Sequence, residues 1–188
     1  LNIFEDEFEY LSAERIVPQT TYSSISQDDL LGSHGENALN FLEKYGAIFK
    51  VEKIFQDETK NEYSLYYVNK WMERIFQGFR LQLSPIAEAD AVGLRYAEKS
   101  RDRVSNSYRA INVGFGITYV LPILVALLKA RKNDLILIEN PEAHLHPKAQ
   151  RIIGELLAKA ASTGAQVIVE THSDHILNGI RISAKNKM

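Results

Sequence analysis

The sequence predicts an α/β fold, a sheet flanked by helices, and three observations carry that prediction. Leu135-Ile136-Leu137-Ile138 and Val167-Ile168-Val169 are short continuous apolar runs, as expected of parallel strands covered on both faces. Between them an amphipathic stretch places Ile152, Ile153, Leu156, Leu157 and Ala160 on one side, opens at Pro147 and stops near Gly164. Strand, helix and strand at this spacing make a βαβ unit. The two strands then run parallel, and their carboxyl ends meet on the sheet edge where open α/β sheets bind ligands.

The remaining elements follow in chain order. Residues 1 to about 35 hold short apolar pieces broken by Pro18, by Thr20-Thr21-Tyr22-Ser23-Ser24 and by Gly32-Ser33-His34-Gly35, which reads as a strand running into a long polar loop. From residue 36 to about 78 the period is helical. Ala38, Leu39, Phe41, Leu42 and Tyr45 form one apolar face, and Val68, Trp71, Met72, Ile75 and Phe76 another. This region is expected to be a compact helical insertion. Residues 81 to 111 alternate loosely and predict one or two strands with a charged turn at Glu98-Lys99-Ser100-Arg101-Asp102-Arg103. The apolar run from Ile117 to Leu128 is too short for a membrane span and contains Pro122, so it reads as a buried helix. Ser173 is placed to cap a last short helix carrying Ile176, Leu177 and Ile180.

Composition narrows the class of partner. With 45% hydrophobic and 24% charged residues among 188, the chain can bury a real core, which excludes global disorder. A formal net charge of −2 argues against a strongly basic nucleic-acid binder. The absence of cysteine excludes disulfides and cysteine-based zinc sites, and fits a reducing, cytoplasmic setting. The chain opens at Leu1 in residues that already read as a structured acidic stretch, so it is expected to be a fragment whose natural beginning lies upstream.

The predicted shared edge gathers chemistry. Glu139, Asn140 and Glu142 follow the first strand; Glu170, Thr171 and His172 follow the second. A carboxylate at the end of an apolar strand suits Mg²⁺, a hard ion that keeps several waters and needs few protein ligands beside nucleotide phosphates. Glu139 fits that post. Asn140 or Glu142 could orient an attacking water, and of the two only Glu142 can accept a proton. His172 could donate a hydrogen bond to a phosphate oxygen or to the water.

The run Leu135-Ile136-Leu137-Ile138-Glu139-Asn140-Pro141-Glu142-Ala143-His144-Leu145-His146-Pro147, followed by Val169-Glu170-Thr171-His172-Ser173, resembles the ABC-class P-loop ATPases of the SMC and OLD type. Asn112-Val113-Gly114-Phe115-Gly116-Ile117-Thr118 is similar to the signature loop of that class, and Ser12-Ala13-Glu14-Arg15-Ile16-Val17-Pro18 and Gly35-Glu36-Asn37 also look like members of the group. The resemblance touches most of the chain, with the specific motifs confined to residues 112 to 178. It implies that Glu139 is the Walker B magnesium residue, that His172 is the switch histidine, and that Ala143 to His146 form the D-loop facing a partner protomer. It also implies that Asn112, Gly114 and Gly116 bind the γ-phosphate of ATP held by the opposite protomer of a head-to-tail dimer. Glycines that let backbone N–H groups approach an anion, at the start of a helix, suit that task.

Two departures matter. The residue after Glu139, usually the catalytic glutamate in ABC proteins, is Asn140, which shifts the base role toward Glu142. No glycine is followed by lysine, so the chain lacks a P-loop. In this class that motif lies far upstream, and the chain is therefore expected to be the C-terminal lobe of the ATPase domain, holding the second half of a nucleotide site. Two other readings compete. One is an ATP-gated sensor or structural module without turnover. The other is a metal-dependent hydrolase built on His144, His146, His172 and His175, since Thr171-His172-Ser173-Asp174-His175 resembles part of the metallo-β-lactamase-fold motif. Lys129, Arg131, Lys132, Lys148 and Arg151 could suggest DNA contact, since some SMC and OLD relatives act on DNA, but read better as a solvated helix face; a DNA or effector-protein partner stays open, and no membrane partner is expected.

Overall fold

The structure, a computed structural model, describes residues 7–19, 21–23, 30–86, 88, 90–98, 107–109 and 115–186. Its elements are β1 (Phe8–Leu11), β2 (Thr21–Ser23), α1 (Ala38–Tyr45), α2 (Ser64–Ile75), β3 (Phe79–Ile86), β4 (Ala91–Glu98), β5 (Ser107–Arg109), α3 (Phe115–Lys129), β6 (Leu135–Glu139), α4 (Pro147–Ala161), β7 (Gln166–Glu170) and α5 (Asp174–Lys185), with a 3-10 turn at Lys53–Phe55.

The βαβ unit forms as predicted, with β6 and β7 parallel and in register from Leu135↔Gln166 to Glu139↔Glu170. On the other side of β6 lies β1, also parallel, giving a three-stranded sheet in the order β1-β6-β7. The helix boundaries follow their local chemistry. Pro147 is the first residue of α4, and Ser173 caps α5 by accepting the His175 and Ile176 amides at 3.1 and 3.2 Å. Gly154 of α4 and Gly179 of α5 meet backbone to backbone: a Cβ on Gly154 would lie 2.3 Å from the Ile176 carbonyl oxygen. Only glycine permits so close a crossing.

A second sheet is antiparallel, in the order β2-β4-β3, with β5 also on β4. Here the structure departs from the sequence reading twice. The polar Thr21-Tyr22-Ser23 segment is a strand, not loop, because Tyr22 is buried between two exposed neighbours and pairs with Val92. The region after residue 78 supplies three strands rather than one or two. Its entry is set by Gln77 and Gly78, whose φ of 49° and 101° turn the chain sharply out of α2. The proposed charged turn lies mostly outside the described residues.

Around α3 the core is continuous. This helix is apolar all round and nearly all buried, Pro122 included, as its hydropathy predicts. Val120, Leu124 and Leu127 belong to the same apolar cluster as Leu39 and Leu42 of α1, Val68 and Met72 of α2, and Ile153 and Leu156 of α4. The helical stretch from 36 to 78 therefore shares its core with the parallel sheet. One expectation fails at the end of α3: Lys129 is not solvated but 3% exposed. Because the helix has no wet face, its last cation pairs instead with Glu9 at 2.6 Å and Glu7 at 3.3 Å. Gly32-Ser33-His34-Gly35 is a plain turn, with both glycines at positive φ and the Gly35 amide on the Gly32 carbonyl at 2.9 Å.

Candidate functional site

Glu139 ends the middle strand of the parallel sheet, and its in-register neighbour on β7 is Glu170. The Asn140 amide extends the ladder by donating to the Glu170 carbonyl at 2.9 Å. The chain then turns through two left-handed residues, Asn140 (φ 41°) and His144 (φ 60°), a conformation that asparagine accepts more readily than most side chains. Ala143 and Leu145 close the turn by donating to the carbonyls of Asn140 and Glu142, each at 3.1 Å. His146 then caps α4.

The two carboxylates of this turn are held by different elements. Glu139 accepts the Tyr10 hydroxyl at 2.8 Å and the Ala13 amide at 3.0 Å, both from β1 and the segment following it. That donation by the phenol pushes the Tyr10 pKa above its ordinary value. Glu142 reaches across to the other strand end, accepting the Thr171 hydroxyl and the His172 amide, both at 2.7 Å. The contacts continue as a ring. Ser173 donates its amide to the Thr171 hydroxyl at 3.1 Å and its own hydroxyl to Gln150 at 2.6 Å, and Gln150 donates to the Leu145 carbonyl at 2.8 Å. The segments after β6 and β7 are thus held to each other by a continuous set of hydrogen bonds.

Arg15 closes the third side. Buried to 4% exposure, its guanidinium donates to the Glu139 carbonyl at 2.5 Å and to the Asn140 carbonyl at 3.4 Å. Burial lowers its pKa to about 10, against the pull of Tyr119, Glu139 and Glu142, so it is a cation at neutral pH.

Glu139, Asn140, Glu142 and His172 therefore share one rim, as the parallel strands require. Gly116 is on the first turn of α3 with its backbone against the turn: a Cβ there would lie 2.6 Å from the His144 carbonyl oxygen. The His144 ring packs on Tyr119 and Phe115, with centroids 4.7 and 5.9 Å apart. Asn112 and Gly114 lie outside the described residues. The four histidines do not converge: among the described residues no group of three His, Cys, Asp or Glu side chains is placed to hold a metal. Sequence reasoning placed Ala13 and Arg15 in a segment that resembles the family but gave them no role, and it missed Tyr10; together they form a cradle from β1 and the segment after it. The signal was a charged residue set among Ala13, Ile16 and Val17 just after a strand.

The donor set fits Mg²⁺. It is all oxygen, and each Glu139 oxygen keeps a lone pair beyond its one hydrogen bond. Glu139 and Glu170 stand side by side in register, a like-charge pairing that a cation relieves. Next to them, Asn140 Oδ1 is buried without a hydrogen-bond partner among the described residues. Buried oxygens ordinarily have a donor.

The model of the family described as "AAA domain, putative AbiEii toxin, Type IV TA system" matches residues 18–178. The chain is 29% identical over 151 residues to the Old nuclease of Escherichia phage P2, covering 79% of this chain and 24% of that protein. It is 28% identical over 137 residues to Endonuclease GajA of Bacillus cereus (strain HuB5-5), covering 59% of this chain and 19% of that protein. The chain thus spans about a quarter or less of the curated relatives it matches. Among solved structures, an Smc head bound to the C-winged helix domain of ScpA has 17% identity and a TM-score of 0.48, covering 84% of this chain and 44% of that one. The Smc head domain with an extended coiled coil bound to the C-terminal domain of ScpA, from Pyrococcus furiosus, has 15% identity and a TM-score of 0.46, covering 62% and 29%.

Proposed function

From the premise that this chain belongs to the AAA-domain family described as putative AbiEii toxin, type IV TA system, we propose that it forms the C-terminal half of a Mg²⁺-dependent ATP-hydrolysing site. The observation that carries this reading is the common rim of β6 and β7, where Glu139, the Asn140–Glu142 turn and His172 are tied together by hydrogen bonds. When bound, Mg²⁺ would neutralise phosphate charge, and Glu139 would be the residue that holds it.

The other residues work on water and phosphate. Asn140 Oδ1, the unmatched acceptor, orients the attacking water. Glu142 keeps a lone pair on each oxygen and is the group able to take the proton, while its two accepted hydrogen bonds fix the loop that carries His172. His172 is exposed at the rim and donates to the γ-phosphate. By the resemblance of their motif to the signature loop, Asn112, Gly114 and Gly116 are the residues assigned to the γ-phosphate of ATP on a second protomer, in a head-to-tail dimer that forms with ATP.

The first half of the site, with its P-loop, comes from outside this chain. The chain by itself accordingly binds ATP weakly and turns over none. The relatives, Old nuclease and Endonuclease GajA, are much longer proteins named as nucleases. We infer that ATP turnover in this stretch controls such an activity rather than performing it.

The test is ATP turnover and ATP-dependent dimerisation by the full-length protein, with and without Mg²⁺. Turnover that requires Mg²⁺ and rises with dimer formation supports the reading. Dimerisation by ATP without turnover leaves a nucleotide-gated sensor, for which Asn140 in place of a glutamate is the specific argument. Measurable hydrolysis by residues 1–188 alone overturns the division of the site.

A further inference from the structure

Arg15 is used by no step of the reaction proposed above, yet it is the most deeply buried cation near the site. Its position is costly: a guanidinium buried to 4% exposure gives up water, and its Nε lacks a hydrogen-bond partner among the described residues. What it receives in return are two backbone carbonyls, those of Glu139 and Asn140, at 2.5 and 3.4 Å. These carbonyls flank the point where the chain leaves the sheet ladder and Asn140 takes a positive φ. The β1 pairing ends at Leu11↔Ile138, so Arg15 meets the Glu139 carbonyl beyond the last paired residues, while the Asn140 carbonyl also accepts the Ala143 amide at 3.1 Å.

We propose that Arg15 is a positioning residue for this site: its planar fork holds the Glu139–Asn140 backbone and so aims the magnesium carboxylate and the water-orienting amide. This rests on the ATPase reading for its catalytic consequence. The fork is what matters. A guanidinium can serve two carbonyls at fixed spacing, whereas a lysine ammonium is a point charge on a flexible stem. The same segment already grips Glu139 through Tyr10 and Ala13, so Arg15 completes a three-point clamp from β1 onto the end of β6. Tyr119 of α3 lies against the guanidinium, 5.9 Å from ring centroid to Cζ. The clamp therefore also touches the helix whose first turn packs on His144.

The experiment uses the full-length protein with Arg15→Lys and Arg15→Met. Amide hydrogen exchange, without nucleotide, is followed for 139–145 and, as a reference, for 152–160 of α4; ATP kinetics are measured in parallel. The expected result is exchange about tenfold faster in 139–145 alone. It is joined by a fall in kcat of about 10- to 100-fold with KM for ATP nearly unchanged, since Arg15 does not touch nucleotide. Arg15→Lys, which keeps the charge and not the fork, falls between wild type and Arg15→Met. Exchange that stays unchanged at 139–145, or that rises equally across α4, overturns the proposal, as does a folded variant with the wild-type kcat. A wild type that hydrolyses no ATP defeats the ATPase reading instead, and the exchange measurement still decides whether Arg15 holds the turn.

Discussion

Glu142 accepts the backbone N–H of His172 at 2.7 Å, so the acid that follows β6 fixes the loop that follows β7. The second oxygen does the same for the Thr171 hydroxyl at 2.7 Å. A turn and a loop 30 residues apart in sequence are thereby held as one unit, and the predictions that follow depend on that union.

Glu142→Gln keeps an acceptor for the His172 amide but loses the charge and the ability to take a proton. In the full-length protein kcat is expected to fall by about 10²-fold or more with little change in melting temperature. Glu142→Ala leaves the His172 amide and Thr171 hydroxyl without their acceptor, so it loses kcat and also loosens the loop. Hydrogen exchange at 171–175 distinguishes the two, rising only in the alanine variant.

Lys129→Met leaves the buried Glu9 carboxylate without its cation, still accepting the Leu31 amide at 3.1 Å. The loss is expected to be about 3–5 kcal/mol, read by urea unfolding at pH 7. Burial already pushes the Glu9 pKa above 4.5, and removing Lys129 pushes it further. A carboxyl whose folded pKa is raised costs stability once the unfolded state ionises. The penalty therefore grows as pH rises from the unfolded value of 4.5 toward the folded one, and shrinks below 4.5. Unfolding at pH 4 should recover part of the loss.

Gly116→Ala introduces a Cβ 2.6 Å from the His144 carbonyl oxygen, a backbone atom that cannot step aside alone. The Asn140–His144 turn must shift. Destabilisation of about 1–3 kcal/mol is expected by thermal unfolding, with a larger proportional loss of ATP turnover. Gly154→Ala, at the α4–α5 crossing, tests the same contact type away from the turn. It should lower stability with a smaller effect on turnover.

Tyr10 reports on Glu139 without any nucleotide. Its phenol titrates above the ordinary 10 because it donates to that carboxylate. In Glu139→Gln the titration is expected to move back down toward 10, followed by NMR of ring-labelled tyrosine.

The part of the fold closest to the site was the most legible. β6, α4, β7 and α5 follow from apolar runs, Pro147 and Ser173, because their hydrophobic periods and caps are local signals. Tyr22 and the third antiparallel strand were not legible, since a three-residue strand takes its identity from the neighbour it pairs with. The same holds for the site. Glu139, Asn140, Glu142 and His172 stand in sequence beside the strands that place them. Tyr10, Ala13 and Arg15 act from more than 120 residues away through β1, a pairing that no local pattern encodes.

The most direct measurement is a double-mutant cycle on ATP turnover by the full-length protein, using Glu139→Gln, His172→Ala and both together. If the two strand ends serve one site, each single change lowers kcat by about 10²-fold or more, and the double variant is scarcely worse than the poorer single. Wild-type turnover in either single variant, or losses that multiply as independent effects, contradicts a shared nucleotide rim.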